Sequence, residues 1–317
     1  MNVFRLGTRG SALALWQANY VKSALEKQGI SVELKIIQTH GDRSRNAPIM
    51  NLGAQGVFTK EIQRALLQGE IDGAVHSLKD LPTEPVPGLL LASVPVREEV
   101  RDVLVSNKVK TIEELAAGDR IGTGSLRRKT QLLYHLPQGI IIEDIRGNVE
   151  TRLRKLDQGD YDALVLAAAG LIRLGQRDRI ASYLPVSRFL PAVGQGALGL
   201  EARLEDSESI RILSLLDDRK THYAVLAERA LLAALEGGCI APIGTRTWWE
   251  QDDSKDFLGL HGRLLSPDGT RLFEHQERLE IRKAEDAVRL GEETAQILLK
   301  AGGSEIVEDL KRTREFS

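Results

Sequence analysis

Residues 5–11 read RLGTRGS, and residues 120–125 repeat this pattern as RIGTGS, one residue shorter. A second pair of matching stretches follows in the same order, GEIDGAV at residues 69–75 and GDYDALV at residues 159–165. In both copies a short β-rich run, a glycine turn and an amphipathic helical pattern alternate, which is typical of an α/β fold. The sequence therefore predicts two similar doubly wound α/β domains.

We expect three domains. Domain 1 comprises residues 1–96 and 197–215, and domain 2 comprises residues 101–192. Residues 219–317 follow as domain 3, a smaller α+β unit with a three-stranded antiparallel sheet. Residues 39–56 are polar, contain glycine and show no clear periodicity. We predict a mobile loop there, because a loop of that length in a compact domain is often functional.

Composition excludes several classes of protein. Hydrophobic residues make up 42% and charged residues 28% of the chain, as in ordinary globular proteins. With 43 basic against 45 acidic residues, no overall field favours nucleic acid or an anionic membrane. The longest apolar run, residues 163–172, is too short to cross a bilayer, and no secretory signal is visible around Arg5 and Arg9. We expect a cytoplasmic protein with no nucleic-acid or membrane partner.

Two further kinds of site are not expected. The six histidines are scattered without metal-ligand spacing and without a nearby cysteine, so no metal site is predicted. Residues 194–199, GQGALG, match the glycine pattern of dinucleotide-binding proteins, but they follow Pro191 and lack the strand that should precede them. We interpret this stretch as a chain crossover or hinge.

The two copies of the repeat differ directly after their last shared strand. Residues 76–81 read HSLKDL in the first copy, whereas residues 166–171 read LAAAGL in the second. Strand ends in open α/β sheets face the ligand crevice, so Lys79 and Asp80 are candidates for acid and base work on a substrate. The alternative is a solvated loop with a surface ion pair.

Each copy also offers a possible anion site at the start of its first helix. Ser11 and Ser125 are placed to cap these helices, and the preceding glycines leave backbone N–H groups open to a carboxylate or phosphate. Cations in the first helical turn oppose the helix dipole, and an anionic ligand would remove that penalty. The arginines near the two sites are Arg9, Arg127, Arg128, Arg146 and Arg152. The alternative is ordinary capping with surface arginines.

The single cysteine, Cys239, follows Gly237 and Gly238. Paired glycines remove side chains from the backbone beside the thiol and leave room for a bulky group to approach. The alternative is a buried and inert cysteine, which is the common fate of this residue type.

Six motifs occur together and in order along the chain: TRGS at residues 8–11 with Trp16-Gln17, HSLKDLP at 76–82, GTGSLRR at 122–128, RGN at 146–148, PAVGQGA at 191–197 and EGGC at 236–239. This series resembles the porphobilinogen deaminases, also called hydroxymethylbilane synthases. The resemblance runs from the first predicted strand to beyond the cysteine.

This resemblance implies a fold in which two domains like those of periplasmic binding proteins carry a third, smaller domain. It implies a monomeric transferase of tetrapyrrole and haem biosynthesis that joins four porphobilinogen units head to tail, with release of ammonia, and frees hydroxymethylbilane by hydrolysis. The chain would grow on a dipyrromethane cofactor, made from the substrate and held by a thioether to Cys239. The competing interpretation is a non-catalytic two-lobed binding protein or sensor for a small carboxylate, with a free thiol at Cys239.

The resemblance also implies roles for individual residues. Asp80 would be catalytic by stabilising positive charge on pyrrole nitrogens, with electrostatic support from Lys79. Cofactor-binding residues would be Ser77, Lys79, Asp80, Thr123, Ser125, Arg127, Arg128, Arg146 and Gly147, besides Cys239. Substrate-binding residues would be Arg9, Ser11, Gln17, Phe58, Arg146, Arg152, Arg173 and Gln195.

One position departs from the family pattern. The family commonly has a lysine in the loop just before Gly-Leu-Phe, and this chain has Gln55 in that place. A glutamine can hydrogen-bond a carboxylate, but more weakly than a cation does.

Overall fold

The computed structural model describes residues 3–38, 59–235 and 242–315. These residues form two compact units, of which unit 1 contains residues 1–98 and 196–225 and unit 2 contains residues 99–195 and 226–317. The predicted loop at residues 39–56, with Gln55, and the site residues Phe58 and Cys239 lie outside the described residues. The predicted boundaries of the three domains stay a prediction.

The secondary structure alternates between strands and helices through the first two thirds of the chain. In chain order the elements are β1 (Phe4–Thr8), α1 (Ala12–Lys27), β2 (Val32–Ile36), α2 (Lys60–Leu67), β3 (Gly73–Ser77), β4 (Leu89–Ser93), β5 (Asp102–Val105), β6 (Arg120–Gly122), α3 (Leu126–His135), β7 (Ile141–Glu143), α4 (Val149–Asp157), β8 (Ala163–Ala167), α5 (Ala168–Arg173), β9 (Ser182–Tyr183), β10 (Leu198–Arg203), α6 (Ser207–Ser214), α7 (Arg219–Ala234), β11 (Ile243–Asp252), β12 (Lys255–Leu265), β13 (Leu272–Glu280), α8 (Ala284–Leu298) and α9 (Ser304–Glu315). Short 3-10 turns occupy Leu78–Asp80, Ile112–Glu114 and Arg177–Arg179, and a π-helical turn at Leu299–Gly303 joins α8 to α9.

The two α/β domains have the same sheet topology. The five-stranded sheet of unit 1 has the order β2-β1-β3-β10-β4, in which β1 is parallel to β2 and β3 while β10 is antiparallel to β3 and β4. The five-stranded sheet of unit 2 has the order β7-β6-β8-β5-β9, with β6 parallel to β7 and β8 and with β5 antiparallel to β8 and β9. The predicted pair of similar doubly wound domains is confirmed.

The repeated sequence stretches form equivalent contacts in the two domains. The amide of Arg5 donates to Asp72 at 2.9 Å, and the amide of Asp72 donates back to the carbonyl of Arg5 at 2.8 Å. Arg120 and Asp162 form the same two hydrogen bonds, at 2.8 Å and 2.9 Å. The shared strings therefore bring β1 of domain 1 and β6 of domain 2 each together with the turn that leads into the central strand of its sheet, β3 or β8.

Strands β5 and β8 of domain 2 are buried and apolar on both faces because the sheet is covered on both sides there. In β5, Val103 and Val105 pack into one hydrophobic cluster with Leu164, whereas Leu104 packs into a second cluster with Ile121. Near-continuous apolar strands are typical of sheets buried on both faces. Asp102, at the start of this apolar strand, is the exception and belongs to the candidate site.

The C-terminal part of unit 2 contains the predicted three-stranded antiparallel sheet, in the order β11-β12-β13. Helix α8 packs on β12 and β13. A Cβ atom at Gly262 of β12 would lie 2.6 Å from Leu231 of α7 and 3.1 Å from Thr294 of α8, so this glycine lets the helices lie close to the sheet.

Candidate active site

Lys79 and Asp80 lie on a turn that is anchored by apolar neighbours. Strand β3 ends at Ser77, and the 3-10 turn that follows is held by the buried side chains of Leu78 and Leu81 and by a backbone hydrogen bond between those two residues at 3.1 Å. Lys79 is half-buried and Asp80 is exposed. The turn thus anchors the backbone at Asp80 and leaves this residue exposed to solvent.

Four other predicted residues lie in the same domain, near the end of β3 or in and before α1. The buried amide of Gln17 donates to the Ser77 hydroxyl at 2.8 Å, so helix α1 is joined to the end of β3. Ser11 caps α1 by accepting a hydrogen bond from the amide of Ala14 at 3.3 Å, and Arg9 beside it is half-buried. The predicted cap is confirmed by this geometry.

Arg127 and Arg128 are buried side chains in domain 2, not surface arginines. Only 4% of Arg127 and 7% of Arg128 is exposed, and both guanidinium groups contact Asp102, which is 1% exposed. Arg127 lies 2.8 Å from one carboxylate oxygen, and Arg128 donates to the other from Nε at 3.0 Å and from Nη2 at 2.8 Å. The buried amide of Gln195 donates to the same Asp102 oxygen at 2.9 Å. We call these four residues the arginine cluster.

The electrostatics of the arginine cluster favour a charged carboxylate. Burial alone would raise the pKa of Asp102, but the charges of Arg127 and Arg128 and their hydrogen bonds hold it well below its usual range. Burial also lowers the pKa of Arg127, against the opposing charge of Asp102. Two cations face one carboxylate, and the buried Nε of Arg127 has no hydrogen-bond partner among the described residues. The arginine cluster is therefore suited to one more anionic group.

The turn before α3 is tight. Ser125 caps α3 by accepting from the amide of Arg128 at 3.5 Å, and its own amide donates to the Thr123 hydroxyl at 3.3 Å. A Cβ atom at Gly124 would lie 2.8 Å from the carbonyl oxygen of Ile145, so the chain can pass here only with a glycine. Thr123 and Ser125 thus lie next to the arginine cluster in the chain.

A second polar turn precedes α4. Gly147 has a φ of 112°, and a Cβ there would lie 2.7 Å from Thr151, so this position also requires glycine. The side chain of Arg152 donates back to the carbonyl of Gly147 at 2.8 Å, and Arg146 donates to the exposed Asp144 at 3.0 Å. Arg173 ends helix α5 and is buried.

The described site residues thus fall into two sets, one in each unit. Unit 1 contains Arg9, Ser11, Gln17, Ser77, Lys79 and Asp80, and within it the structure joins Gln17 to Ser77. Unit 2 contains Thr123, Ser125, Arg127, Arg128, Arg146, Gly147, Arg152, Arg173 and Gln195, and within it the structure joins Arg128 to Gln195 and Arg152 to Gly147. The functional roles of these residues stay predictions. Within the described ranges, no group of His, Asp and Glu side chains is arranged to hold a metal ion, and no helix has the length and apolarity of a membrane span.

Several buried acidic residues are not predicted from the sequence, among them Asp102 and Glu201. Asp102 directly precedes the apolar residues Val103 to Val105, and a charge at the start of such a strand was the available signal for a buried pair. Glu201, in β10, lies 2.9 Å from His76 and accepts from Gln63 at 3.1 Å, with all three side chains buried. No sequence motif indicates the contacts of Glu201 with His76 and Gln63.

Comparison with known proteins agrees with the motif series. Residues 4–211 match the family model described as "Porphobilinogen deaminase, dipyromethane cofactor binding domain", and residues 222–300 match "Porphobilinogen deaminase, C-terminal domain". The chain belongs to the porphobilinogen deaminase family. The predicted resemblance is confirmed, and these matches do not support the alternative of a non-catalytic binding protein.

Relatives of the porphobilinogen deaminase family match along nearly their whole length. A porphobilinogen deaminase of Trichlorobacter lovleyi is 49% identical over 308 residues, with 96% of each chain covered. One of Geobacter sulfurreducens is 47% identical and covers 100% of this chain and 97% of its own. Among solved structures, the methionine binding protein MetQ has a TM-score of 0.44 at 14% identity, covering 71% of this chain and 94% of its own.

Proposed function

We propose that this protein is the transferase that joins four porphobilinogen units head to tail, releases one ammonia for each bond, and frees hydroxymethylbilane by hydrolysis. The observation that carries the proposal is the match of residues 4–211 to a dipyrromethane cofactor binding domain, together with full-length relatives of the same name. The enzyme would serve tetrapyrrole and haem biosynthesis, as a monomer in the cytoplasm, with porphobilinogen as its small-molecule partner.

We propose that the cofactor is a dipyrromethane held by a thioether between its terminal methylene carbon and Sγ of Cys239. When bound, the cofactor supplies the free pyrrole position on which the chain is extended. Its acetate and propionate arms suit the guanidinium donors of Arg127 and Arg128, because guanidinium groups bind carboxylates with paired N–H donors. The buried Nε of Arg127, which has no hydrogen-bond partner in the described part of the chain, and the excess of cations in the arginine cluster support this fit.

Residues of domain 2 would hold the carboxylate arms. Buried cations lose their hydration, so an incoming carboxylate meets them at low local dielectric and binds more strongly than at an exposed arginine. Thr123, Ser125 and the turn at Gly147 would add hydroxyl and backbone donors. We propose that the substrate and the growing chain are bound by Arg9, Ser11, Gln17, Phe58, Arg146, Arg152, Arg173 and Gln195.

Asp80 would act on the charge that develops during the reaction. Loss of ammonia from porphobilinogen leaves a delocalised cation, and a fixed carboxylate near the ring nitrogen stabilises it without having to reorganise. The rigid 3-10 turn and the exposed position of Asp80 suit this role. Lys79 would support the same step electrostatically, and the pair Gln17 and Ser77 would hold the end of β3.

Intact mass under denaturing conditions tests the proposed function. Active protein should carry a covalent adduct of one dipyrromethane, and the Cys239→Ser variant, which has no thiol, should carry none and be inactive. Purified, active wild-type protein with the mass of the bare chain would overturn the assignment.

A further inference from the structure

The backbone of residues 187–195, which we call the strap, connects two halves of unit 2. The strap reads SRFLPAVGQ and lies in the chain between β9 and β10. Phe189 and Leu190 are buried within it. The polar groups of its backbone bond to side chains from both the α/β domain and the C-terminal sheet.

On one side the strap binds the arginine cluster. The amide of Leu190 donates to the side chain of Gln131 at 2.7 Å, and the carbonyl of Leu190 accepts from Gln131 at 3.0 Å and from Arg127. At its end the strap contributes Gln195, which donates to Asp102 at 2.9 Å. The positions of Arg127 and Gln195 in the arginine cluster are therefore linked to the path of the strap.

On the other side the strap binds the C-terminal sheet. Arg263 of β12 donates to the carbonyls of Arg188 at 2.6 Å and Ser187 at 3.2 Å, and the amide of Thr245 in β11 donates to the carbonyl of Pro191 at 2.9 Å. These contacts hold one end of the sheet against the strap.

Helix α7 reaches the strap through a buried carboxylate. Glu228 is fully buried and accepts from the amide of Gly194 at 2.8 Å, while its other oxygen accepts from the hydroxyl of Thr247 in β11 at 2.8 Å. One carboxylate thus joins α7, β11 and the strap, and it lies in the apolar interior where a lost donor is costly.

Gly244 lets β11 approach the strap. A Cβ atom at this position would lie 2.6 Å from Cβ of Leu190 and 3.1 Å from its carbonyl oxygen. Both atoms belong to the backbone or are fixed directly to it, so a larger residue must displace the strap or the strand.

We propose that the strap is a positioning element that fixes Arg127 and Arg128 relative to α7 and β11, the two elements that precede and follow Cys239 in the chain. Gly244 is the positioning residue that seats β11 on the strap. The inference rests on the proposed function, because it concerns the distance between the cofactor's covalent anchor and the groups that hold its carboxylates. A shift of about 1 Å between such groups can slow a reaction on the order of a hundredfold.

The first test compares Gly244→Ala with Gly262→Ala. Both added methyl groups would meet a neighbour at 2.6 Å, but at Gly262 the neighbour is the flexible side-chain end of Leu231, whereas at Gly244 it is Cβ of Leu190 in the strap itself. Apoprotein of each variant is incubated with porphobilinogen, and the fraction of chains with an adduct is followed by intact mass, with circular dichroism to verify folding. We expect Gly244→Ala to load about tenfold more slowly than Gly262→Ala. Equal loading rates would overturn the proposal.

A second, milder pair keeps the test valid where Gly244→Ala does not fold. Thr247→Val removes the hydroxyl that donates to Glu228, whereas Thr245→Val removes a buried hydroxyl that has no hydrogen-bond partner among the described residues and leaves the Thr245 amide in place. Loading should slow about two- to threefold in Thr247→Val relative to Thr245→Val. Identical loading would contradict a positioning role. A wild-type protein that neither loads nor turns over would reject the proposed function instead.

Discussion

The two α/β domains share one sheet topology but carry charge at different positions in it. In domain 1, Leu198 of the antiparallel strand lies opposite Ser77 of the central strand. In domain 2 the same place is taken by Asp102, opposite Ala167. The first domain therefore has a polar group at the end of the central strand, where the second has a buried carboxylate on the neighbouring strand.

The comparison shows that scaffold and chemistry are encoded at different positions. The strand order and the contact of an arginine with an aspartate at residues 5 and 72, or 120 and 162, are common to both domains. The charged groups beyond them differ, since domain 1 presents an exposed carboxylate at Asp80 and domain 2 buries Arg127 and Arg128. Under the proposed function, one scaffold would thus support two complementary kinds of site, one for a developing cation and one for carboxylates.

Two glutamines at equivalent positions show the same difference between the two domains. Gln17 and Gln131 each lie six residues after the serine that caps the first helix of their domain, and both are buried. Gln17 bonds to Ser77 of its own sheet, whereas Gln131 bonds to Leu190 of the strap. The same residue at the same helical position stabilises the end of a strand in one domain and an inter-domain connection in the other.

The largest effect is expected at Asp80, whose carboxylate has no counterpart at the equivalent position of domain 2. Asp80→Ala should lower kcat by about a thousandfold or more, because a carboxylate aimed at developing charge is lost. Its melting temperature should stay close to that of the wild type, since Asp80 is exposed. Glu84→Ala, which removes an exposed carboxylate four residues later, is the matched control and should keep its activity. Substantial turnover by Asp80→Ala would refute the catalytic role.

The buried charge of domain 2 should matter for stability. Asp102→Asn leaves two cations without their carboxylate and should cost about 3–5 kcal/mol of the free energy of unfolding at neutral pH, measured by urea denaturation. The matched change in domain 1, Glu201→Gln, should cost less, about 1–2 kcal/mol, because it weakens the hydrogen bond from Gln63 and the close contact with His76. Equal losses of unfolding free energy would show that Asp102 and Glu201 contribute equally to stability.

The same pair predicts a pH dependence with a definite sign. Because the folded-state pKa of Asp102 is lowered, its contribution to stability is fully present above the unfolded-state pKa of about 4 and is lost as pH falls through the folded-state pKa. The difference in unfolding free energy between wild type and Asp102→Asn should therefore be constant from neutral pH down to about pH 5 and shrink only in stronger acid. A difference that shrinks between pH 8 and pH 6 would contradict the pairing.

The shared scaffold should respond equally in the two domains. A methyl group on Gly7 would meet Ile71 at 2.3 Å, and one on Gly122 would meet Leu164 at 2.7 Å. Gly7→Ala and Gly122→Ala should each cost about 1–3 kcal/mol by overpacking. Thermal unfolding followed by circular dichroism measures both, and a loss confined to one variant would break the equivalence of the repeats.

The smallest effect is expected at the helix caps. Ser11→Ala and Ser125→Ala should each cost about 1 kcal/mol, because each removes the acceptor for one amide of the first helical turn. Ser11→Asp and Ser125→Asp keep the cap and should restore stability, while their charge should weaken binding of carboxylates near the same helix starts. Restored stability with unchanged substrate KM would argue against an anion site at these positions.

By itself, the sequence determined the two doubly wound domains, the third sheet and the family, because strand and helix periodicity, glycine turns and ordered motifs are all local. The contrast of residues 76–81 with 166–171 also indicated Lys79 and Asp80 before any geometry was known. Only the tertiary structure decided that Arg127 and Arg128 are buried against Asp102 and that Gly244 lies against Leu190. Those partners lie 25 residues or more apart in the chain, and a buried charge or a missing side chain acquires its neighbour only when distant segments pack together.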